Sequence, residues 1–309
     1  MATPGISIVS PVYNAQGIIE ALVARLREEV SKIVQEFEII LVEDGSSDAS
    51  WAKIEEACRQ DSKVKGIKLS RNFGQHYAVT AGLAHASGSC TVILDCDLQD
   101  NPADIETLHR AFQSGYDVVF TKRKQRRHGV LKSCSSVIYN VVFRFLSDKQ
   151  FDVNAGSMIL VSKKAKDAFL QIQDKDRLYL QLFKWVGFRS TQIEVEHNER
   201  CSGVSSYTFL RLMSLGVQGL TSHSDKLLRL SIYLGFSLAS FAFFAISYIV
   251  VRFFTHGFKE GWASVFVLIL FSTGLILISI GITGVYIGKI FDQAKGRPLY
   301  IIEQTCNTE

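Results

Sequence analysis

The chain has 309 residues, a formal net charge of +4 and 47% hydrophobic residues, a composition rich in apolar side chains for a purely soluble protein. The mild charge gives no expectation of an extended nucleic-acid footprint, so nucleic acid is not among the expected partners. Six cysteines (Cys58, Cys90, Cys96, Cys134, Cys201, Cys306) form no C-x-x-C pair and have no zinc-like His spacing; they read as reduced, ordinary thiols rather than a disulfide scaffold or metal cluster.

MATPGISIVSPVYN lacks the basic n-region and long apolar core of a signal peptide. From there short β-rich runs alternate with helical patterns: ISIVSP then 17–34, FEIILVE then 47–60, VKGIKLS then 75–86, CTVILD then 102–114, and YDVVFT. Such alternation predicts a parallel α/β sheet with helices on both faces, and runs as apolar as FEIILV suit strands covered on both sides. A helix over 130–146, a strand at GSMILVS, helices from Lys163 and across LYLQLFKWVGF, a strand at STQIEVE and the segment CSGVSSY complete this part. Within it, QLFKW reads as an ordinary helix with Leu182 and Trp185 facing the core.

Residues 207–220 carry Phe209, Leu212, Met213 and Leu220 beside Arg211, the pattern of a helix lying in a membrane interface. Leu230 to Val251 and Trp262 to Ile287 contain no Asp, Glu, Lys or Arg, and at about 1.5 Å per residue each is long enough to cross a hydrocarbon core of about 30 Å. The loop between them carries Arg252 and Lys259, against Arg211, Lys226, Arg229, Lys289, Lys295 and Arg297 on the other side, which places both termini in the cytoplasm. The expected layout is therefore a cytoplasmic domain over 1–206, an interfacial segment over 207–229, a two-helix hairpin over 230–290 (about 230–252 and 262–288) and a tail over 291–309. Small residues Gly274, Gly281 and Gly284 permit helix association, hence a possible homo-oligomer.

The strand ends carry the chemistry: SPVYN, VEDGSSD, SRNFGQ and DCDLQD fall where a parallel sheet opens its ligand crevice. Three acids close together in DCDLQD repel unless a cation sits among them. Asp95 and Asp97, with Gln99 as a third oxygen donor, suit Mg²⁺ or Mn²⁺, whose coordination is completed by water and substrate phosphate; Asp100 reads instead as the cap of the helix beginning near Pro102. In VEDGSSD, Glu43 and Asp44 precede Gly45 for a tight turn and Ser47 or Asp48 as a helix cap. A carboxylate at this position can also accept from a nucleobase N–H. The run TKRKQRRH concentrates five basic side chains, most of which read as a solvated face.

PVYNA, VEDGSSD, SRNFGQHYAVTAGL, DCDLQDNP and GVYIGKIFDQAKGRPLY occur in one order along the chain. In that set the chain resembles the inverting glycosyltransferases of family 2, and within them the polyprenyl-phosphate glycosyltransferases, similar to bactoprenol glucosyltransferase and dolichol-phosphate mannose synthase. The resemblance implies a GT-A type nucleotide-diphosphosugar transferase domain followed by a two-helix transmembrane hairpin, in the inner membrane. It implies a nucleotide-sugar donor, UDP-glucose first, with UDP-N-acetylhexosamines, GDP-mannose and 4-amino pentoses behind it. The implied acceptor is a polyprenyl phosphate such as undecaprenyl phosphate, serving cell-envelope glycan modification. By the same resemblance Pro11, Tyr13, Asp44 and Arg71 match positions that hold the nucleoside, and Asp95, Asp97 and Gln99 match those around diphosphate and metal; Asn14 and Glu43, at the same two strand ends, are further candidates for binding the donor. Arg123 matches a basic position near the acceptor phosphate, with Arg126, Arg127 and Lys132 as further cations. Arg200, Gly203 and Ser205 fit the R-x-x-G-x-S signature of a loop that closes on substrate.

Two departures stand out. Ser206 follows that signature where relatives commonly have Lys, and NAGSMILVS stands where relatives often carry an Asp-containing sequence ending in F-R-L; Asp152 and Asn154 are the nearest substitutes. A processive synthase of the same superfamily would need Q-x-x-R-W, but here Lys184 replaces the Arg. A catalytically silent scaffold that keeps the fold is the remaining rival.

Overall fold

Continuously apolar strands need cover on both faces, and the chain supplies it. The structure, a computed structural model, describes residues 5–123, 155–195, 226–256 and 261–308. Strands β1 (Ile6–Val12) and β2 (Phe37–Glu43) are buried at every position. With β3 (Val64–Leu69), β4 (Cys90–Ile93), β5 (Val118–Arg123), β6 (Ala155–Ser162), β7 (Ser190–Val195) and β8 (Ile302–Cys306) they form an eight-stranded sheet of order β7-β5-β6-β4-β1-β2-β3-β8.

The expectation of a parallel sheet holds for β4-β1-β2-β3 and for β5-β7 and needs correction elsewhere. GSMILVS enters antiparallel between β4 and β5, and β8 runs antiparallel along β3. A strand's local sequence specifies that it is extended and which face is apolar, not which neighbour it pairs with.

Helix α1 (Ile19–Ser31) buries Ile19, Leu22, Leu26 and Val30, three or four residues apart, and α2 (Ser50–Gln60) buries Ile54 and Cys58. With α4 (Asp104–Gln113) they cover the sheet face that presents Ile6, Ile8, Ile39 and Leu41. The opposite face, through Val9, Ile40 and Val42, is covered by α3 (Gln75–His85), where a Cβ on Gly82 would lie 2.4 Å from Val9 Cγ1. Farther along, α5 (Lys163–Gln171), capped by Ser162 Oγ accepting from Ala165 N at 3.2 Å, and α6 (Tyr179–Val186) pack on Ile93, Val118, Phe120 and Ile159. Trp185 corrects the reading of QLFKW: it is 73% exposed, while Tyr179, Leu182 and Phe183 take the core. At 100° per residue, the stripe set by 179, 182 and 183 leaves 185 on the outer side.

The segment expected as a tail contains β8. Ser70 N donates to Ile301 O at 2.9 Å, Lys68 Nζ lies 3.1 Å from Glu303 Oε1, and Asn307 Nδ2 donates to Cys58 O at 2.7 Å. Cys306 Sγ and Cys58 Sγ are 2.7 Å apart, and both are free thiols.

A second compact unit holds two long helices, α7 (Lys226–His256) and α8 (Trp262–Ala294), which contain the two uncharged runs. Among the described residues one segment, Phe271–Ala294, is long and apolar enough to cross a membrane; its 24 residues extend about 36 Å. The expected helix over 130–146 and the interfacial helix over 207–220 lie outside the described residues.

Candidate active site

The chain leaves β1 toward β2 and β3 on one side and returns to place β4 on the other. At such a switch point the connections diverge and a crevice opens beyond the strand ends. PVYN, at the end of β1, and DCDLQD, at the end of β4, flank it. Leu94 N donates to Val9 O at 3.1 Å, and the Tyr13 backbone N–H faces the Cys96 sulfur. Burial, then the charges of Asp95 and Asp97, push the Cys96 thiol up to about 11, so it adds no third negative charge between the two carboxylates.

The end of β2 is knitted to the end of β1. Asn14 N donates to Ser46 Oγ at 3.0 Å and Asn14 Oδ1 accepts from Ser47 N at 2.9 Å; Gln16 N donates to Asp48 Oδ2 at 3.1 Å, and Ala49 N to Gln16 Oε1 at 3.0 Å. Asn14 takes φ 49, a conformation that its short polar side chain supports. Neither expected residue occupies the cap position of α2, which is Ala49; Asp48, one residue earlier, holds the turn into the helix, its Oδ1 accepting from Ser50 N at 3.0 Å.

Glu43 is 1% exposed and accepts from Ser46 N inside the turn. Asp44 is 3% exposed; its Oδ1 accepts from Phe73 N at 2.7 Å and its Oδ2 from Gly74 N at 2.9 Å. Burial raises the Asp44 pKa, against the pull of those two amides. Gly45, at φ 66, is required because a Cβ there would fall 2.2 Å from Asn72 N. Asp44 thus serves as an internal strut that brings the SRNFG loop onto the β2 turn, while Glu43 braces the turn itself. Pro11 is buried, whereas Tyr13 (52% exposed), Asn14 and Arg71 lie on the open rim, the Arg71 guanidinium 4.1 Å above the Phe73 ring.

The β4 end is built differently. Asp95, Asp97 and Gln99 are each partly exposed. Gln99 contributes its backbone first: its N–H donates to Asp97 Oδ1 at 3.1 Å, and Leu98 takes φ 56 to close the turn. The expectation that Asp100 caps the next helix is corrected. Asn101 Oδ1 holds that turn by accepting from Ala103 N at 3.2 Å, and α4 begins at Asp104. Asp100, 3% exposed, turns inward, where Oδ2 accepts from Ser157 Oγ at 2.7 Å. Ser157 belongs to the divergent segment NAGSMILVS, and its carbonyl accepts from Tyr179 Oη at 2.9 Å.

On the other flank Gln75 Nε2 donates to Asp95 Oδ1 at 2.5 Å, and the His76 ring packs 5.4 Å from that of Tyr179. Burial lowers the His76 pKa to about 4, so the ring is neutral at neutral pH. Burial, then the negative charges of Asp95 and Asp100, raise the Tyr179 phenol well above its ordinary value. Ser157 and Tyr179 were not singled out from sequence, and Gln75 entered only as the last residue of the strand-end segment SRNFGQ.

Among the described residues no three His, Cys, Asp or Glu side chains cluster as a self-sufficient metal site. Two partly exposed carboxylates facing a crevice fit a hard cation that takes its remaining oxygens from a bound diphosphate and water. Arg123 closes β5 on the same rim, in register with Val195; the rest of TKRKQRRH, from Lys124, lies outside the described residues. Arg200, Gly203, Ser205 and Ser206, with Arg126, Arg127, Lys132, Asp152 and Asn154, lie outside the described residues.

Residues 7–168 match the family described as Glycosyl transferase family 2. Across 302 residues the chain is 32% identical to the SfII prophage-derived bactoprenol glucosyl transferase of Shigella flexneri, covering 97% of this chain and 98% of that protein. It is 33% identical over 308 residues to the undecaprenyl-phosphate 4-deoxy-4-formamido-L-arabinose transferase of Proteus mirabilis, covering 98% and 94%. The solved mannosyltransferase of Pyrobaculum calidifontis, in complex with GDP-Man and Mn²⁺, shares the fold: TM-score 0.51, 17% identity, 74% of this chain and 65% of that one. With a GT-A-like sheet and a family match over more than half its length, the chain belongs to glycosyl transferase family 2 and is a glycosyltransferase.

Proposed function

We propose that the protein transfers a sugar, with inversion, from a nucleotide-diphosphate sugar (UDP-glucose first) to a polyprenyl phosphate such as undecaprenyl phosphate at a bilayer surface. The observation that carries this reading is the half-open Asp95–Asp97 loop at the sheet's switch point, in a chain that matches a bactoprenol glucosyl transferase along nearly its whole length. Tyr13 and Arg71 on the rim bind the nucleoside and its charge, within walls held by Asn14, Glu43, Asp44 and Pro11. Asp95 and Asp97, with Gln99, hold a Mg²⁺ or Mn²⁺ ion together with the diphosphate. Such an ion, when bound, offsets charge developing on the leaving diphosphate.

An acceptor phosphate monoester, with a second pKa of about 6, is already largely dianionic at neutral pH and needs cationic guidance more than a general base. Arg123 provides that guidance at the β5 end, and Arg200 and Ser205 close on the phosphates. The acceptor oxygen attacks the anomeric carbon as the bond to the diphosphate oxygen breaks on the opposite face. α7 and α8 anchor the enzyme as a two-span hairpin with the sheet domain and both termini cytoplasmic, so that the basic run meets anionic headgroups.

The test is to incubate detergent-solubilised protein with a panel of labelled nucleotide sugars, Mg²⁺ or Mn²⁺, and undecaprenyl phosphate. Label should move to lipid from one donor; absence of both transfer and donor hydrolysis rejects the reading. A thiol label on Gly257→Cys should react from outside the cytoplasm, and reaction only from inside overturns the orientation.

A further inference from the structure

A carboxylate that must hold a cation works best when its own orientation is already fixed. In DCDLQD the two ends of the loop are fixed from outside the loop: Asp100 by Ser157 of β6, and Asp95 by Gln75 of α3. We infer that Gln75 is a positioning residue for the reaction, its amide holding Asp95 in the orientation that receives the cation and diphosphate. This rests on the carboxylate-loop reading given above.

The chemistry of the contact allows one arrangement. An ionised carboxylate only accepts, so the Gln75 amide must present Nε2, and a bond from a neutral donor to a charged acceptor is among the stronger ones. At 2.5 Å it favours one orientation of the Asp95 side chain while leaving the carboxylate partly exposed. Ordinarily an exposed glutamine is a poor brace, because its side-chain freedom must be given up to make the bond. Here the backbone beneath it is fixed on three sides. Gly74, at φ 105, donates its N–H to Asp44 Oδ2 at 2.9 Å just before the helix starts. His76 packs its ring 5.4 Å from Tyr179, and Tyr77 Oη donates to Lys175 O.

This assigns the SRNFGQHY motif a use beyond its contribution to the nucleoside rim. It also connects the two acidic strand ends. Asp44 fixes the start of α3, and Gln75 in its first turn holds Asp95, so one buried carboxylate at β2 is linked to one open carboxylate at β4 through a single helix turn.

Partners that orient metal ligands typically change metal affinity by about 10–100-fold when removed. Gln75→Met keeps the side chain's length and removes its donor; Gln75→Ala removes both. Mn²⁺ binding to the full detergent-solubilised chain is measured by electron paramagnetic resonance with UDP or GDP present, alongside the melting curve and, for the donor, KM and kcat. Both variants should melt like the wild type and bind Mn²⁺ about 10–100-fold more weakly, and added Mn²⁺ should restore kcat. Normal Mn²⁺ affinity in Gln75→Met with a defect only in Gln75→Ala identifies a packing role and overturns the inference. Normal affinity in both overturns it outright. A wild type that binds no Mn²⁺ with either nucleotide, but melts normally, rejects the carboxylate-metal reading itself.

Discussion

Two parallel strands of this sheet end in a pair of acids, and the molecule uses the pairs in opposite ways. At β2, Glu43 and Asp44 are enclosed and occupied by backbone amides of the turn and of the SRNFG loop. At β4, Asp95 and Asp97 remain partly open beside the switch point. What separates them is the neighbouring chain rather than the acids. Gly45 lets the Arg71–Asn72 peptide close over the β2 pair, whereas β4 is followed by a turn around Leu98 that leaves its pair facing the crevice. A carboxylate at a strand end thus stays partly open to solvent only where no loop covers it.

Breaking each side of this comparison should give a different symptom. The largest effect is expected at the open pair: Asp97→Asn should lower sugar transfer by about 10²–10³-fold, the scale of losing one charge-stabilising group, with little change in melting temperature. Retained metal-dependent transfer in that variant would reject the role. At the closed pair, Asp44→Ala leaves the half-buried Phe73 and Gly74 amides without their acceptor and should cost about 2 kcal/mol of stability, read as a lower denaturation midpoint. An unchanged midpoint would show that the strut is dispensable.

His76 sharpens the comparison through pH. Its pKa falls to about 4 in the folded chain from an ordinary 6.5, so the unfolded chain binds the extra proton between those values. Stability should therefore fall as pH drops from about 6.5 to 4, by about 3 kcal/mol in total, and His76→Leu should flatten that part of the curve. A curve of the same steepness in the variant assigns the acid sensitivity elsewhere. The smallest effect belongs to Trp185, exposed on α6: Trp185→Ser should shift the midpoint by no more than about 0.5 kcal/mol.

Much of this was legible in the sequence because local patterns carry it. The described strands and helices of the sheet domain before β8 follow from continuous apolar runs, as in β1 and β2, or from apolar periods, as in α1, and the acids and turns at the strand ends mark the crevice rim. What escaped were choices made in three dimensions. IEQTC is short and half polar, and it becomes a strand only because β3 offers an open edge to a segment distant in sequence. Asp100 sits before a proline like a helix cap, yet Ser157 of β6 draws it inward, a contact invisible until β6 inserts beside β4. Trp185 was placed on the core face together with Leu182, three residues before it, whereas the buried stripe runs through Tyr179, Leu182 and Phe183 and leaves Trp185 exposed.

The division between the two acidic strand ends is tested most directly by one paired measurement on the full chain. Asp44→Asn and Asp97→Asn are compared for melting temperature and for transfer from the preferred nucleotide sugar to undecaprenyl phosphate. The account predicts that Asp97→Asn melts like the wild type and transfers almost nothing, while Asp44→Asn melts lower and keeps measurable turnover below its transition. The reverse pattern, a stable but inactive Asp44→Asn beside an active Asp97→Asn, would contradict it.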